Sequence, residues 1–358
     1  MRWIMRSACI AVAMTAPGVP LMAQELRELT TQPLLTIPSA ADGRALVIGE
    51  ISAAVRLPDG RIVIGDGASK KLHLFDSGGR LLRSVSRDGE GPGEMRSVQW
   101  LGRCGGADVT MYDRMLNRLT DVNVASAIAG RPDARIRTVP MNTSTVVQCE
   151  QAGRMAVAVP ENFGPGARGN LQLLDGTGAS LGALGPMFLD AGRPLGASIK
   201  LALGAGRLMY GAGDSAFIHV YDLSTKRASR MTVPHVPRAP TEANQAAAIE
   251  FWATLIRGTE QDYERMRTML RRMPAVKTVP VYSGLYFDEA QSALWVHTSV
   301  LGDSNTVLDR YTTAGQATGR VRLPPDLLIY EVWANVVVAR TVDADTGEQA
   351  LVLYRIGR

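Results

Sequence analysis

A six-bladed β-propeller built from four-stranded antiparallel blades is the fold class this sequence predicts, and three observations predict it. The stretch from Arg61 to Asp121 contains one unit written twice. The first copy is Gly60-Arg-Ile-Val-Ile-Gly-Asp66 followed by Lys70-Lys-Leu-His-Leu-Phe-Asp76, and the second is Asp108-Val-Thr-Met-Tyr-Asp113 followed by Asn117-Arg-Leu-Thr-Asp121. Each is an apolar strand ending on Asp, a short polar connection and another alternating strand. Repetition of such a unit at about 46 residues is the mark of a propeller blade. Six units of this kind align along the chain. Finally, Leu34-Leu-Thr-Ile37 near the start can supply the strand that the last unit, ending at Tyr354, has no room to make. A ring closed in that way leaves no open sheet edge.

The chain begins with a segment that does not belong to the ring. Met1-Arg-Trp-Ile-Met-Arg6 is basic, Ser7 to Leu21 is mostly apolar, and Leu21-Met-Ala23 suits a cleavage site. Residues 1–23 therefore read as a secretory signal peptide, and 24–358 as one domain in the periplasm or outside the cell. Cys9 has no lipobox-like Leu before it. No later run approaches the ~18 apolar residues of a membrane span.

The second strands of the six units align as Arg61-Ile-Val-Ile-Gly-Asp66, Val109-Thr-Met-Tyr-Asp113, Arg154-Met-Ala-Val-Ala-Val159, Arg207-Leu-Met-Tyr-Gly211, Leu294-Trp-Val-His-Thr298 and Val336-Val-Val-Ala-Arg340. The third strands are Leu72–Phe75, Arg118–Asp121, Leu171–Leu174, Phe217–Tyr221, Val307–Tyr311 and Ala350–Tyr354. The turns at Gly60, Gly106, Gly153 and Gly206 keep nearly even spacing, whereas the next, at Ala293, comes after a gap almost twice as long. Residues 240–274 fill that gap. Pro240-Thr-Glu242 starts a helix in which Ile249, Trp252, Leu255 and Ile256 share a face, closed by Gly258. Thr259-Glu-Gln-Asp262 resembles a capping box, and Tyr263, Met266, Met269, Leu270 and Met273 recur at helical spacing up to Pro274. The expectation is a helical hairpin between the fourth and fifth blades. Helices that short are marginal alone, so an apolar face must dock on something.

Several of these residues resemble a known group. Asp113 with Asn117-Arg118-Leu119, and Asp66 with Lys71-Leu-His-Leu-Phe75, are similar to the second-to-third-strand signature of NHL-type repeats. Arg87-Asp-Gly-Glu-Gly-Pro-Gly-Glu-Met95 resembles a linker found in exported bacterial six-bladed propellers of unassigned function, which are NHL-repeat-like or TolB-like. The likeness is specific in the first two blades and weak in the rest, where the Asn-Arg pair is lost. It implies a fold and an export route, and no agreed reaction.

Composition narrows the function. Loss of Arg2 and Arg6 with the leader lowers the formal charge from +5 to +3, with no long Lys/Arg run, so nucleic acid is not an expected partner. Cys104 and Cys149 are an even pair falling late on the innermost strands of consecutive blades. A disulfide or two buried thiols are both open, since geometry decides. The Gly89–Glu94 loop reads as a rigid inter-blade linker: Pro92 removes a donor, and Glu90 and Glu94 repel anions. Asp343-Ala-Asp-Thr-Gly-Glu348 touches on a calcium pattern without completing it, and reads as a hairpin turn.

Candidate binding residues follow from register. In propellers the linkers between blades open on the same face as the turns after each second strand. Asp66, Asp113, His297 and Arg340 all sit near such turns and are expected at one mouth of the channel. The helical hairpin is itself an inter-blade linker, so it lies on that face, as a lid or as an ornament on the rim. Trp252 on it is the tryptophan expected to touch a ligand, while Trp100, Trp295 and Trp333 read as packing between blades. One His at the mouth does not make a zinc site, and no cofactor is expected; calcium is conceivable without a full motif. The sequence thus favours an exported module binding a peptide, glycan or envelope protein over chemistry. The alternative is a metal-assisted hydrolase or lyase at the channel mouth, and a third reading is a structural subunit of an envelope assembly.

Overall fold

The computed structural model describes residues 26–39, 47–106, 108–131, 134–139, 147–150, 152–161, 167–189, 193–253, 259–343 and 346–357. The predicted leader, and Leu255, Ile256 and Gly258 of the first inserted helix, lie outside these residues. Strand β1 (Thr31–Pro38) precedes the ring. Blade 1 holds β2 (Ile51–Arg56), β3 (Ile62–Asp66), β4 (Lys71–Phe75) and β5 (Leu81–Val85). Blade 2 holds β6 (Trp100–Gly102), β7 (Val109–Asp113), β8 (Arg118–Val122) and β9 (Ala134–Thr138), with helix α1 (Val124–Ile128) between its last two strands. Blade 3 is β10 (Val147–Cys149), β11 (Met155–Pro160), β12 (Ala167–Leu174) and β13 (Ser180–Leu189). Blade 4 is β14 (Lys200–Gly204), β15 (Arg207–Gly211), β16 (Phe217–Asp222) and β17 (Ala228–Thr232). Helices α2 (Glu242–Ala253) and α3 (Glu260–Arg271) follow. Blade 5 is β18 (Gly284–Asp288), β19 (Ala293–His297), β20 (Thr306–Thr312) and β21 (Ala317–Leu323), and blade 6 has β22 (Leu328–Trp333), β23 (Val336–Val342) and β24 (Gln349–Ile356).

Six four-stranded sheets result, five of them contiguous in sequence. The sixth is completed by β1, which pairs antiparallel with β24 from Thr31↔Ile356 to Pro38↔Ala350. The two ends of the chain therefore zip one blade, as the missing fourth strand in the sequence requires. Residues just before β1 reach one blade further, where Leu29 N–H donates to Arg320 O and Arg320 N–H donates to Arg27 O, covering the outer edge of β21. Such covering removes free donors that could otherwise pair with another chain.

The second strands do not alternate in polarity because both of their faces are covered. Every residue of β3 and of β7 is buried, as expected for a strand sandwiched between neighbouring blades. Apolar clusters fill the junctions between blades. Val63, Leu72 and Leu74 of blade 1 meet Val98, Leu101 and Met111 of blade 2, and Ile51, Ile62 and Ile64 of blade 1 meet Val336, Val338 and Leu353 of blade 6. Each fully buried side chain of this size contributes about 1.5–3 kcal/mol. Across the junction of blades 2 and 3, Cys104 and Cys149 form a disulfide with Cα atoms 5.5 Å apart.

The helical hairpin is docked rather than loose. Asn244 in the first turn of α2 is fully buried; its Nδ2 donates to Leu301 O and to Asp303 Oδ1, while its Oδ1 accepts from Thr241 N and Arg238. Arg238 grips Asp303 through two bonds of 2.7 and 2.6 Å. Gly302 is needed at this junction: its φ is 78°, and a Cβ there would stand 2.5 Å from Ala243 O. The turn after β19 is thus welded to the start of α2. At the far end, Thr259 N–H donates to Asp262, closing the capping box, and Arg267 of α3 reaches Glu250 of α2 at 2.9 Å.

Candidate functional site

Pairing within each blade fixes which residues share the channel mouth. Asp66 lies opposite Ile51, Gly211 opposite Lys200, His297 opposite Gly284 and Arg340 opposite Leu328. The last or nearly last residue of a second strand therefore faces the first residue of the innermost strand, at the end where linkers enter. Equivalent placement does not give equivalent surroundings.

Asp66 and Asp113 are fully buried and have 0% exposure. The Asp66 carboxylate accepts N–H bonds from Gly49 and Glu50 of the incoming linker and from Ala68 and Ser69 of the following turn, plus the Ser69 hydroxyl at 2.6 Å. Burial pushes its pKa up, but the bonds from His73, Ser69 and Gly49 outweigh burial and hold it well below the usual carboxylate range. Asp113 repeats the pattern, accepting from Arg96 N, Ser97 N, the Ser97 hydroxyl and Leu116 N. Both carboxylates tie the linker to the turn, and neither lines the cavity described next. Asp343, in the turn between β23 and β24, likewise accepts from Thr346 N–H and hydroxyl at 2.8 and 2.9 Å.

His297, Arg340 and Trp252, by contrast, line one cavity of about 280 Å³. Its floor comes from the opening halves of three inner strands and the linker before one of them: Lys200, Ser283 with Tyr286, and Leu328 with Ile329. Its roof is helix α2, through Ala248, Phe251 and Trp252. The inserted hairpin therefore covers the mouth between blades 4 and 6. Gly211 makes room here, because a Cβ would lie 1.9 Å from the hydroxyl of Tyr282, which donates to Phe217 O. Two non-glycine residues on the cavity wall, Leu195 and Asp326, hold left-handed backbone at φ 59° and 55°. Strain of this kind persists where surrounding structure over-determines it.

Electrostatically the cavity is unusual for its apolar walls. Lys200 donates to Ser198 Oγ at 2.8 Å, and no carboxylate of the described residues pairs with it. Burial pushes its amine down from 10.5 to about 8. Burial, aided by the Lys200 charge, likewise lowers His297 to about 4, against a weaker opposing pull from Asp303. The imidazole is consequently neutral near pH 7, with Nε2 in hydrogen-bond contact with Ser299 Oγ at 2.9 Å. Arg340 donates to Ile51 O, and its buried Nε makes no hydrogen bond. Burial raises the phenol of Tyr282 to about 12 and displaces that of Tyr286 upward as well. Arg193 completes the cationic set, while Asp326 accepts from Gly302 N–H at 2.8 Å.

The architecture has solved counterparts. Over 95% of its length this chain superposes on a Bacteroides fragilis protein described as exported, covering 98% of that chain, with a TM-score of 0.54 and 12% identity. A member of the DUF4221 family from Bacteroides vulgatus matches 94% of this chain and 99% of its own, with a TM-score of 0.50 and 9% identity. What is shared is the fold. No family model and no curated protein sequence matches the chain.

Sequence reasoning about strand ends reached His297 and Arg340 but passed over Lys200 and Tyr286. Lys200 carried a usable signal: it is a lone cation opening the apolar run Lys-Leu-Ala-Leu, at the position held by Ile51, Gly284 and Leu328 in other blades. Among the described residues no three His, Cys, Asp or Glu side chains converge as a metal site would require, and no helix is long and apolar enough to cross a membrane.

Proposed function

We propose that this chain is an exported propeller that binds a small molecule in the cavity under helix α2, acting by recognition rather than by chemistry. The observation that carries this reading is the convergence of Trp252, His297 and Arg340, from three separate elements, on one largely apolar cavity with a few polar groups. Binding sites in general have that character. Export is supported by the basic and apolar leader of residues 1–23, by the Cys104–Cys149 pair and by the fold shared with a protein described as exported. A peptide end or a glycan substituent entering the same cavity is a variant of this reading.

The test is a thermal-shift screen of small anionic, neutral and cationic compounds on the mature protein, on Ala248→Phe and on Trp252→Ala. Ala248 is fully buried against the cavity, so Phe fills it, whereas Trp252→Ala removes wall without adding bulk. A compound that raises Tm in the native protein, and less in both variants while they still melt cooperatively, is the expected result. Shifts that survive both variants would move the site elsewhere on the ring.

A further inference from the structure

The cavity holds a charge that no carboxylate of the described residues pairs with. Lys200 sits at the bottom of an apolar-walled space, spends one N–H on Ser198, and has no carboxylate partner among the described residues. A half-buried ammonium against apolar walls is costly unless a counter-charge joins it. Arg340 adds a buried Nε without an acceptor. Among the described residues the one acid on the wall, Asp326, is exposed at the rim, where it accepts from Gly302 N–H. His297 contributes no charge near neutral pH. Two remaining Lys200 donors and one from Arg340 suit the lone pairs of a single carboxylate. A phosphate ester, with three oxygens to satisfy, would call for more donors than these three.

Above this cationic floor the surfaces are flat and apolar. Phe251 and Trp252 descend from α2, and Tyr286 rises from β18. Aromatic side chains bind planar rings through offset or edge-to-face contacts, with a preference for bodies that fill the space between them. We infer that the ligand is a small aromatic carboxylic acid, its carboxylate held by Lys200 and Arg340 and its ring packed beneath Trp252 and Phe251. This assignment rests on the binding reading above and deepens it by naming the ligand's chemical class.

The experiment is calorimetric titration with benzoate and indole-3-acetate, each beside its neutral amide, on the native protein, on Lys200→Met and on Ala248→Phe. Each acid is expected to bind about tenfold or more tightly than its amide. Lys200→Met should cut acid affinity by a similar factor and leave the amides nearly unchanged, because it keeps the stem and removes only the charge. Lys200→Arg, which keeps the charge, should retain preference for the acid and guards against a folding artefact in the Met variant. Equal binding of acid and amide, or an unaltered acid affinity in Lys200→Met, would overturn the assignment. Absence of binding by both acids overturns it too. If amides bind and Ala248→Phe blocks them while acids gain nothing, the ligand class falls and the cavity remains the binding site. If nothing that binds responds to Ala248→Phe, the binding reading falls as well.

Discussion

In blades 1 and 2 the second strand ends on an aspartate over which the incoming linker folds; in blades 5 and 6 the residue at that register lines a cavity. All four strands begin with four buried residues and pair antiparallel with both neighbours, so the difference lies in what approaches their ends. Residues 49–50 and 96–97 bring backbone N–H groups onto Asp66 and Asp113, and the carboxylates are filled by donors. Between blades 4 and 5 the linker has become a helical hairpin, pinned at its start by Asn244 and Asp303 and arched over the channel. Beneath that arch His297, Lys200 and Arg340 keep unused polar capacity. One half of the ring spends its polar groups on closure and the other leaves them facing a cavity.

The largest effect should come from the closing half. Asp66→Ala strands several buried N–H donors at once and should lower stability by about 3–5 kcal/mol, with Asp66→Asn recovering part of it; chemical denaturation measures both. If the loss were under ~1 kcal/mol, the linker would not depend on that carboxylate. The opposite sign is expected in the cavity. Lys200→Met removes a half-buried charge and should raise stability by on the order of 1–2 kcal/mol at neutral pH, in line with an amine lowered to about 8 and partly screened by solvent. A drop in Tm would mean that Lys200 has a partner in the folded ring.

Acid separates the two halves by window. His297 has a folded pKa of about 4 against an ordinary 6.5, so the unfolded chain binds the extra proton between those values. Stability should therefore decline as pH falls from about 6.5 toward 4, and His297→Gln should flatten that limb. Asp66 acts lower: its depressed pKa adds stability that is present above the ordinary value of 3.8 and disappears as pH falls beneath it. Denaturation midpoints across pH for the two variants distinguish these limbs. The smallest effect on the ring itself is expected from deleting 240–274 and joining the ends with a short Gly/Ser linker. The hairpin interrupts no blade, so unfolding should stay cooperative while cavity binding vanishes; loss of the cooperative transition would make the hairpin part of the core.

Much of the architecture was legible because it repeats. Period, strand polarity and the missing last strand together determine the ring and its closure by Leu34–Ile37, and the helix start at Pro240–Glu242 with the capping box at Thr259–Asp262 locates the hairpin. Helix α1 escaped notice because five residues after Asn123 are too few for a periodic signal. Register brought His297 and Arg340 to the candidate cavity but said nothing of role. Asp66 and His297 occupy corresponding positions, and only the path of the linker decides that one is capped by amides and the other is not. Lys200 lay hidden in an apolar first strand, where its neighbours Ile199 and Leu201 read as core.

The most direct measurement is a crystal structure of the mature protein soaked with indole-3-acetate. Density for the ring beneath Trp252, with its carboxylate on Lys200, is the expected result. Density only on the opposite face, or a cavity left without the acid at saturating concentration, would contradict an aromatic acid held under α2.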